Sequence, residues 1–593
     1  MNTLETDILI LGAGGAGLFA ALHAKKANPD LDVTIAVKGL LGKCGCTRMV
    51  QGGYNVALSP DDSVERHFMD TIEGGGWLNN QDLAWLLVET APKRIRELET
   101  DLGCFFDRNP DGTVHQKAFA GQTFDRTVHK GDLTGIEIIN RLAEQVWRRD
   151  VNRLEDYRAL DLIPAADGSG LAGVLMLDMR SGELTMVRAR ATLLATGGGP
   201  TMYRYHTPSG DKSCDGLAMA LRAGLPLRDI EMVQFHPTGL LAGEGTRMTG
   251  TVLEEGLRGS GGWLTDSDHK RFMFDYDPRG ERATRDIVSR SIMDRIRKGF
   301  ASPHGGVYIE MGHLGPERVR REFKGMVERC ADCGFDLAAG RVEVIPTAHY
   351  MMGGVVFATD CTTPMRGLYA AGEDTGGVHG ANRLGGNGVA NSTVYGGIAG
   401  DVMGARIKPR SALADPDKAA IETAQARALA PFGRPANAGD LSEMRERLYD
   451  IMWNDVGILR TAETLARGKA ALESLTRDIE ACGIADGSRR YNLTWVDRLN
   501  LESLTLVSRA ICAAADFRTD SRGAHFREDF PKAADLAASA FTKATLKGDA
   551  LAVTSEPVAF TRVRPGQSLL QQAAEEAMHR AAALDPQSAA PLR

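Results

Sequence analysis

The sequence predicts an α/β protein of several units: a mostly parallel sheet of the doubly wound kind, an insertion that interrupts it, and a helical unit that follows. Three observations carry this expectation. First, the apolar run Asp7 to Leu11 leads into Gly12-Ala13-Gly14-Gly15-Ala16-Gly17 and then into the helix-forming stretch Leu18 to Lys26, the strand–turn–helix order of a βαβ unit. Second, two distant apolar segments also run into glycine: Thr192 to Ala195 before Gly197, and Gly367 to Ala371 before Gly372. Third, from about residue 411 the glycines thin out and apolar residues recur at helical spacing.

Taken in order, the first helix should end near Asn28-Pro29, because proline disfavours helix in the residue before it. Val33 to Val37 then reads as a second strand, parallel to the first and joined to it by a right-handed crossover. Gly39 to Gly53 is rich in glycine and cysteine, and three strand-to-glycine junctions imply one sheet assembled from distant segments. The stretch from about 235 to 345 is denser in charge and aromatics and reads as a unit inserted over a ligand. Met444, Leu448, Ile451 and Met452, then Leu459, Thr461, Leu465 and Leu472, carry the helical periodicity. The last sixty or so residues read as an Arg-rich loop, Arg518 to Pro531, and an alanine-rich tail, without internal repeat or heptads. The expected divisions are therefore 1–234, 235–345, 346–410, 411–525 and 526–593.

A chain of 593 residues is too long for one core and implies roughly three to five folding units. Seventy basic against 77 acidic residues, a net charge of −7, disfavours binding to a phosphate backbone. No stretch approaches the roughly 18 to 20 apolar residues of a membrane-spanning helix. The N-terminus is acidic at Glu5 and Asp7 and lacks the basic region of a signal peptide, so a cytoplasmic location is expected. Nine cysteines are too sparse for a disulfide scaffold. Cys330-x-x-Cys333 and Cys44-x-Cys46 have no further paired ligands and read as isolated thiols; no metal site is expected. Sixty-seven glycines are the compositional outlier and point to close backbone approach.

The spacing Gly12-x-Gly14-x-x-Gly17 fits dinucleotide binding: the first glycine makes the turn, the second admits a pyrophosphate, and the third lets helix and strand pack. The acidic residue expected about 20 positions on, for ribose hydroxyls, is absent; Val37-Lys38 stands there, and a lysine suits a 2′-phosphate. On this motif alone NADP remains an alternative.

The remaining motifs discriminate. Gln51-Gly52-Gly53, His236-Pro237-Thr238-Gly239, Glu255-Gly256-Leu257-Arg258-Gly259, Arg285-Asp286-Ile287-Val288-Ser289-Arg290, His349-Tyr350-Met351-Met352-Gly353-Gly354, Gly372-Glu373, His379 to Asn387 and Ser521-Arg522-Gly523-Ala524-His525 occur in one order along the chain. Over roughly residues 5 to 531 the sequence resembles the flavoprotein subunit of the succinate dehydrogenase/fumarate reductase family, which includes L-aspartate oxidase. The resemblance implies a Rossmann-type FAD-binding domain interrupted by an α+β capping domain and followed by a helical domain. It implies FAD held by Gly12, Gly14, Gly15, Gly17, Lys38, Cys46, Thr47, Gln51, Gly52, Gly53, Thr196, Gly197, Gly198, Asp215, Glu373, Arg383 and Asn387.

It also implies a dicarboxylate substrate clamped by His236, His349 and Arg383, with residue 254 nearby, and interconverted with its unsaturated form by hydride transfer at flavin N5. Arg285 matches the proton-transfer residue, with Glu255 and Arg258 as its relay. If Thr284 caps the helix through Val288, Ile292 and Ile296, Arg285 falls in the first turn, where the helix dipole disfavours a cation. A residue that breaks a local rule is a site candidate.

Two departures qualify this. Cys46 stands where respiratory members carry the histidine bonded to the flavin, so non-covalent FAD is expected, with a cysteinyl thioether the chemical alternative. Glu254 replaces a threonine, and an extra carboxylate beside a dianion must be relieved by turning towards Arg258, by protonation, or by a donor group on the substrate. A substituted succinate is therefore the expected substrate, with plain succinate or fumarate close behind. With no cluster ligands of its own, the chain must pass electrons to oxygen, a quinone or a partner. The resemblance implies an iron–sulfur partner subunit, with peripheral membrane association through partners. The rival readings are aspartate oxidation and a non-catalytic electron-transfer scaffold, against which the intact set of histidines, arginines and Glu255 argues.

Overall fold

The computed structural model describes residues 1–243, 246, 248–435 and 439–571; the alanine-rich tail beyond lies outside the described residues. At its centre the strand Asn2–Leu11, whose last six residues are buried, lies parallel to Val33–Val37 on one side and to Glu183–Leu194 on the other. Val33–Val37 pairs in parallel with Asn152–Glu155, and Glu183–Leu194 continues through the antiparallel strands Leu171–Asp178 and Tyr157–Pro164. Leu368–Ala370 joins the end of Glu183–Leu194, with Leu368 opposite Thr192 and Ala370 opposite Leu194. Three strands from distant parts of the chain thus stop on one edge of one sheet, each followed by glycine. Ligands of open α/β sheets bind at that carboxyl edge.

A second sheet, ordered Val233–Leu240, Arg341–Met351, Val307–Glu310 and Trp263–Thr265, carries the helix Arg285–Arg297. It has its own core, including Leu240, Leu264, Ile292 and Val307. This is the α+β cap, and its first and last strands run through positions 235 and 345. Four longer helices follow: Lys418–Leu429, Leu441–Asn454, Ala462–Ala481 and Leu493–Phe517. Met444, Leu448 and Met452 are buried as their spacing requires, while Leu459 precedes the next helix, whose first turn Thr461 closes in a capping box with Thr464.

The C-terminal region differs from the expectation of loop. Ala540–Lys547 and Ala550–Pro557 form a hairpin around Gly548-Asp549, and Ala540–Lys547 pairs with Leu227–Arg228. Among the described residues no helix is long and apolar enough to cross a membrane, all nine cysteines are free, and no His/Cys/Asp/Glu group could hold a metal.

Candidate active site

The strand edge opens on two connected cavities. The smaller, about 60 Å³, is lined by Gly12, Val37, Lys38, Ser213 and Asp215. The larger, about 540 Å³, runs from Gly15, Cys46 and Thr47 to His236, His349 and Arg383. An elongated dinucleotide fits this outline, and the glycines meet the expected test. A Cβ at Gly12 would lie 2.1 Å from the Ala195 carbonyl oxygen, and one at Gly17 1.9 Å from the Gly12 oxygen. Only bare backbone allows that turn, and it leaves Gly14 and Gly15 on the cavity wall at a helix N-terminus, where phosphate is favoured.

The other cofactor candidates divide. Gln51, Gly52, Gly53, Thr196, Gly197 and Glu373 line the larger cavity with Cys46 and Thr47. Thr47 Oγ1 accepts from the Gly15 N–H at 3.1 Å. Glu373 accepts from the backbone of Met351 at 3.0 Å, and burial pushes its carboxyl up to about 7. Gly198 packs on Met351 instead, and the Asn387 side chain is engaged by Asn55, His67 and Thr71, so neither residue lies on the cavity wall. Lys38 is not a free phosphate ligand either: it donates to Asp215 at 3.0 Å and to Ser213 at 2.8 Å. Burial works against the Asp215 carboxylate, but Arg158 and Lys38 outweigh it and hold the carboxyl well below its ordinary range. Burial pushes the Cys46 thiol up to about 12, which leaves it protonated and a poor nucleophile.

The cap supplies the catalytic candidates. Antiparallel pairing sets His236 opposite Thr347 and brings the rings of His236 and His349 to 5.5 Å. The Thr238 N–H donates to His236 Nδ1 at 3.3 Å, which leaves Nε2 as the protonated nitrogen. Burial, then Arg285, depress both histidines far below their usual range, so at neutral pH they are uncharged donors. Arg285 opens its helix as expected, but Thr284 makes no side-chain cap bond. Instead Arg285 Nη2 meets Glu255 Oε2 at 2.7 Å, and Arg258 Nη2 meets Glu255 Oε1 at 3.0 Å. Burial would raise Glu255, but Arg285 and Arg258 prevail and hold it ionised. Arg383 stacks on Tyr350, 4.5 Å from the ring centre, and burial followed by Arg285 lowers its pKa to about 10.

Sequence reasoning missed Gln234. Its Oε1 accepts from Arg285 Nη1 and from Arg383 Nη2, both at 3.0 Å, so one carboxamide aligns both guanidiniums. The signal was its position two residues before His236 on one strand, hence on the same face. The expectation for Glu254 is corrected: Arg258 belongs to Glu255, and Glu254 pairs with Lys117, from the strand Gln116–Lys117 outside the cap. Lys117 had no local pattern to reveal it. Arg329, also missed, donates to the Val252 carbonyl at 3.0 Å and to the Gln51 carboxamide oxygen beside it on the cavity wall. Within the buried group of Arg258, Arg285, Arg383 and Glu255, three guanidiniums stand against one carboxylate, and the surplus positive charge favours an anionic substrate.

Fold and site together define a flavoprotein oxidoreductase with a cap over an anion-binding cavity. The FAD binding domain family matches residues 7–389, and the fumarate reductase flavoprotein C-terminal family matches residues 445–570. The chain is 34% identical over 551 residues to the fumarate reductase flavoprotein subunit of Escherichia coli, covering 89% of each. It is 35% identical over 557 residues to the mitochondrial succinate dehydrogenase [ubiquinone] flavoprotein subunit of Oryza sativa, covering 89% of this chain and 86% of that one. The quinol fumarate reductase FrdA structure from E. coli superposes with a TM-score of 0.89 at 32% identity, over 96% of this chain and 99% of that one. The chain belongs to the succinate dehydrogenase/fumarate reductase flavoprotein family.

Proposed function

We propose that this chain interconverts succinate and fumarate as the FAD-dependent subunit of a larger enzyme. The observation that carries the reading is the buried array in which Gln234 aligns Arg285 with Arg383 while Glu255 joins Arg285 to Arg258. FAD, when bound, supplies the hydride chemistry. His236 Nε2 and His349 donate to one end of the substrate, and Arg383 grips a carboxylate. Arg285 exchanges the proton with the substrate carbon. An arginine is a weak acid, so a proton it gives up must be replaced at once: the ionised Glu255 carboxylate accepts a proton from Arg258, 3.0 Å from one oxygen, and passes it to Arg285, 2.7 Å from the other, and Arg258 is reprotonated in its turn from solvent.

Because Lys117 already neutralises Glu254, the substrate needs no extra donor, and the plain dicarboxylate is favoured over a substituted one. Anaerobic succinate should bleach the flavin band; bleaching by aspartate and not by succinate would replace this reading. The remaining assignments follow from it: FAD is non-covalent, Lys38 and Asp215 hold its adenosine end, and the cap spans 235–345 between the two flavin-domain segments. An iron–sulfur subunit takes the electrons on the cytoplasmic side of a membrane. Acid precipitation should release all of the yellow colour, whereas flavin retained on a denaturing gel would establish a Cys46 thioether.

A further inference from the structure

The diphosphate of a dinucleotide brings two negative charges into this site, and a helix N-terminus offers only about half a positive charge in return. The two cavities meet along Gly14, Gly45, Ala195, Thr196, Gly197 and Lys212, and among the described residues Lys212 is the only charged side chain common to both linings. Its ammonium lies in a gap left by two glycines: a Cβ on Gly197 would come 3.6 Å from Nζ, and one on Gly45 3.7 Å. One donor is used, on the Thr196 carbonyl oxygen at 3.0 Å; an ammonium has three. The nearest carboxylates are otherwise engaged, Asp211 with the Ser209 hydroxyl and Glu373 with the N–H groups of Met351 and Gly199. Burial works against the Lys212 charge, but the acidic groups around it outweigh that and raise its pKa, so an ammonium is maintained with no ion pair to it among the described residues.

We propose that Lys212 binds the diphosphate of FAD at the junction of the two cavities, fastening a cofactor that has no histidine tether. This rests on the assignment of FAD as the cofactor. The charge is placed where the two halves of the dinucleotide join, beside the glycine turn that carries the partial charge of the helix. Removing it affects the phosphates and spares the isoalloxazine ring.

The test is a titration of the full-length chain, stripped of flavin, with FAD and with riboflavin, which lacks phosphate, followed by flavin fluorescence at several salt concentrations. Lys212→Met should weaken FAD about ten- to a hundredfold, the loss of a charge-assisted hydrogen bond, leave riboflavin unchanged, and flatten the salt dependence of FAD binding. Lys212→Arg should restore most of the affinity. Equal weakening of FAD and riboflavin would overturn the proposal and make Lys212 structural. An unchanged FAD affinity and salt slope would overturn it outright. If the wild-type chain binds no FAD, the cofactor assignment itself falls, and the proposal with it.

Discussion

Two of the clusters of buried arginine in this molecule are built on opposite principles. Under the cap, Arg258 and Arg285 share the Glu255 carboxylate, Arg383 is held by the Gln234 carboxamide and the Tyr350 ring, and Arg285 and Arg383 face a cavity. Where the helical unit meets the C-terminal hairpin, Arg460, Arg518, Arg522 and Arg527 meet as many carboxylates. Arg518 holds Asp229 at 2.9 Å and Glu231 at 2.6 Å, Arg522 holds Asp520 at 3.0 Å and Arg527 holds Asp529 at 2.7 Å, while Arg460 donates to His525 Nδ1 at 2.7 Å. The second cluster is balanced and closed. Buried charge is costly unless paired, so an unbalanced cluster persists only where a ligand completes it, and a balanced one joins parts of the fold. Ser521 to His525, one of the motifs that carried the family resemblance, thus belongs to the joint and not to the cavity.

The sharpest way to break this contrast is to remove one arginine from each cluster. Arg518→Met leaves Asp229 and Glu231 buried without their partner and should cost about 3–5 kcal/mol of stability, read by urea denaturation. Burial, against the pull of Arg518, already pushes Asp229 up to about 7. Its folded value lies above its unfolded one, so its contribution is complete at low pH and is lost as pH rises through about 7. The variant should therefore suffer more at pH 8 than at pH 5, while its folded fraction keeps the flavin and substrate affinities of the wild type. Equal losses at both pH values would show that the joint is not electrostatic.

Arg285→Lys should do the reverse: turnover falls by at least about a hundredfold, the range of general acid–base groups, with FAD bound and the denaturation midpoint little changed. Lysine keeps the charge but cannot contact Gln234 and Glu255 together. Near-normal turnover would move the proton-transfer role to another residue.

What the sequence made legible follows from how locally each feature is written. The strand-to-glycine junctions at Leu11, Leu194 and Ala370 were readable because turn chemistry is local, and their assembly into one sheet edge followed from the parallel βαβ rule. His236, Glu255, Arg285, His349 and Arg383 were readable because each sits in a motif. Gln234 was half legible, by its alternation with His236. Lys117 and Lys212 were not, since a single lysine in a polar stretch looks like solvated surface until the chain folds around it. The C-terminal hairpin does carry a local signal: Gly548-Asp549 between Thr542–Leu546 and Leu551–Thr554 is a two-residue turn flanked by strand formers. Thr284 met the residue preference for a cap but not the bond, because identity at a helix start does not fix a side-chain rotamer.

The smallest expected effect concerns the pair that makes the substrate cavity's charge count come out. Glu254 and Lys117 cancel each other, joining the cap to the strand Gln116–Lys117 and leaving the surplus on Arg258, Arg285 and Arg383 intact. A bare carboxylate about 4 Å from a substrate carboxylate would cost roughly 4 kcal/mol at an effective dielectric near 20; protonation and solvent absorb most of this. Lys117→Met should therefore raise the KM for succinate by about tenfold, with kcat changed much less. Burial already raises the Glu254 carboxyl in spite of Lys117, and loss of Lys117 raises it further. In the variant, Glu254 is then protonated and harmless at low pH, and the KM penalty grows as pH rises and the proton leaves. Adding Glu254→Thr to Lys117→Met removes the uncompensated charge and should return KM to near the wild-type value. Glu254→Thr alone leaves Lys117 as an extra cation, which should lower KM slightly. Additive effects in this four-member cycle, or a Lys117→Met variant with unchanged KM at every pH, would show that Glu254 does not act on the substrate, and that the pair only ties the cap to the flavin domain.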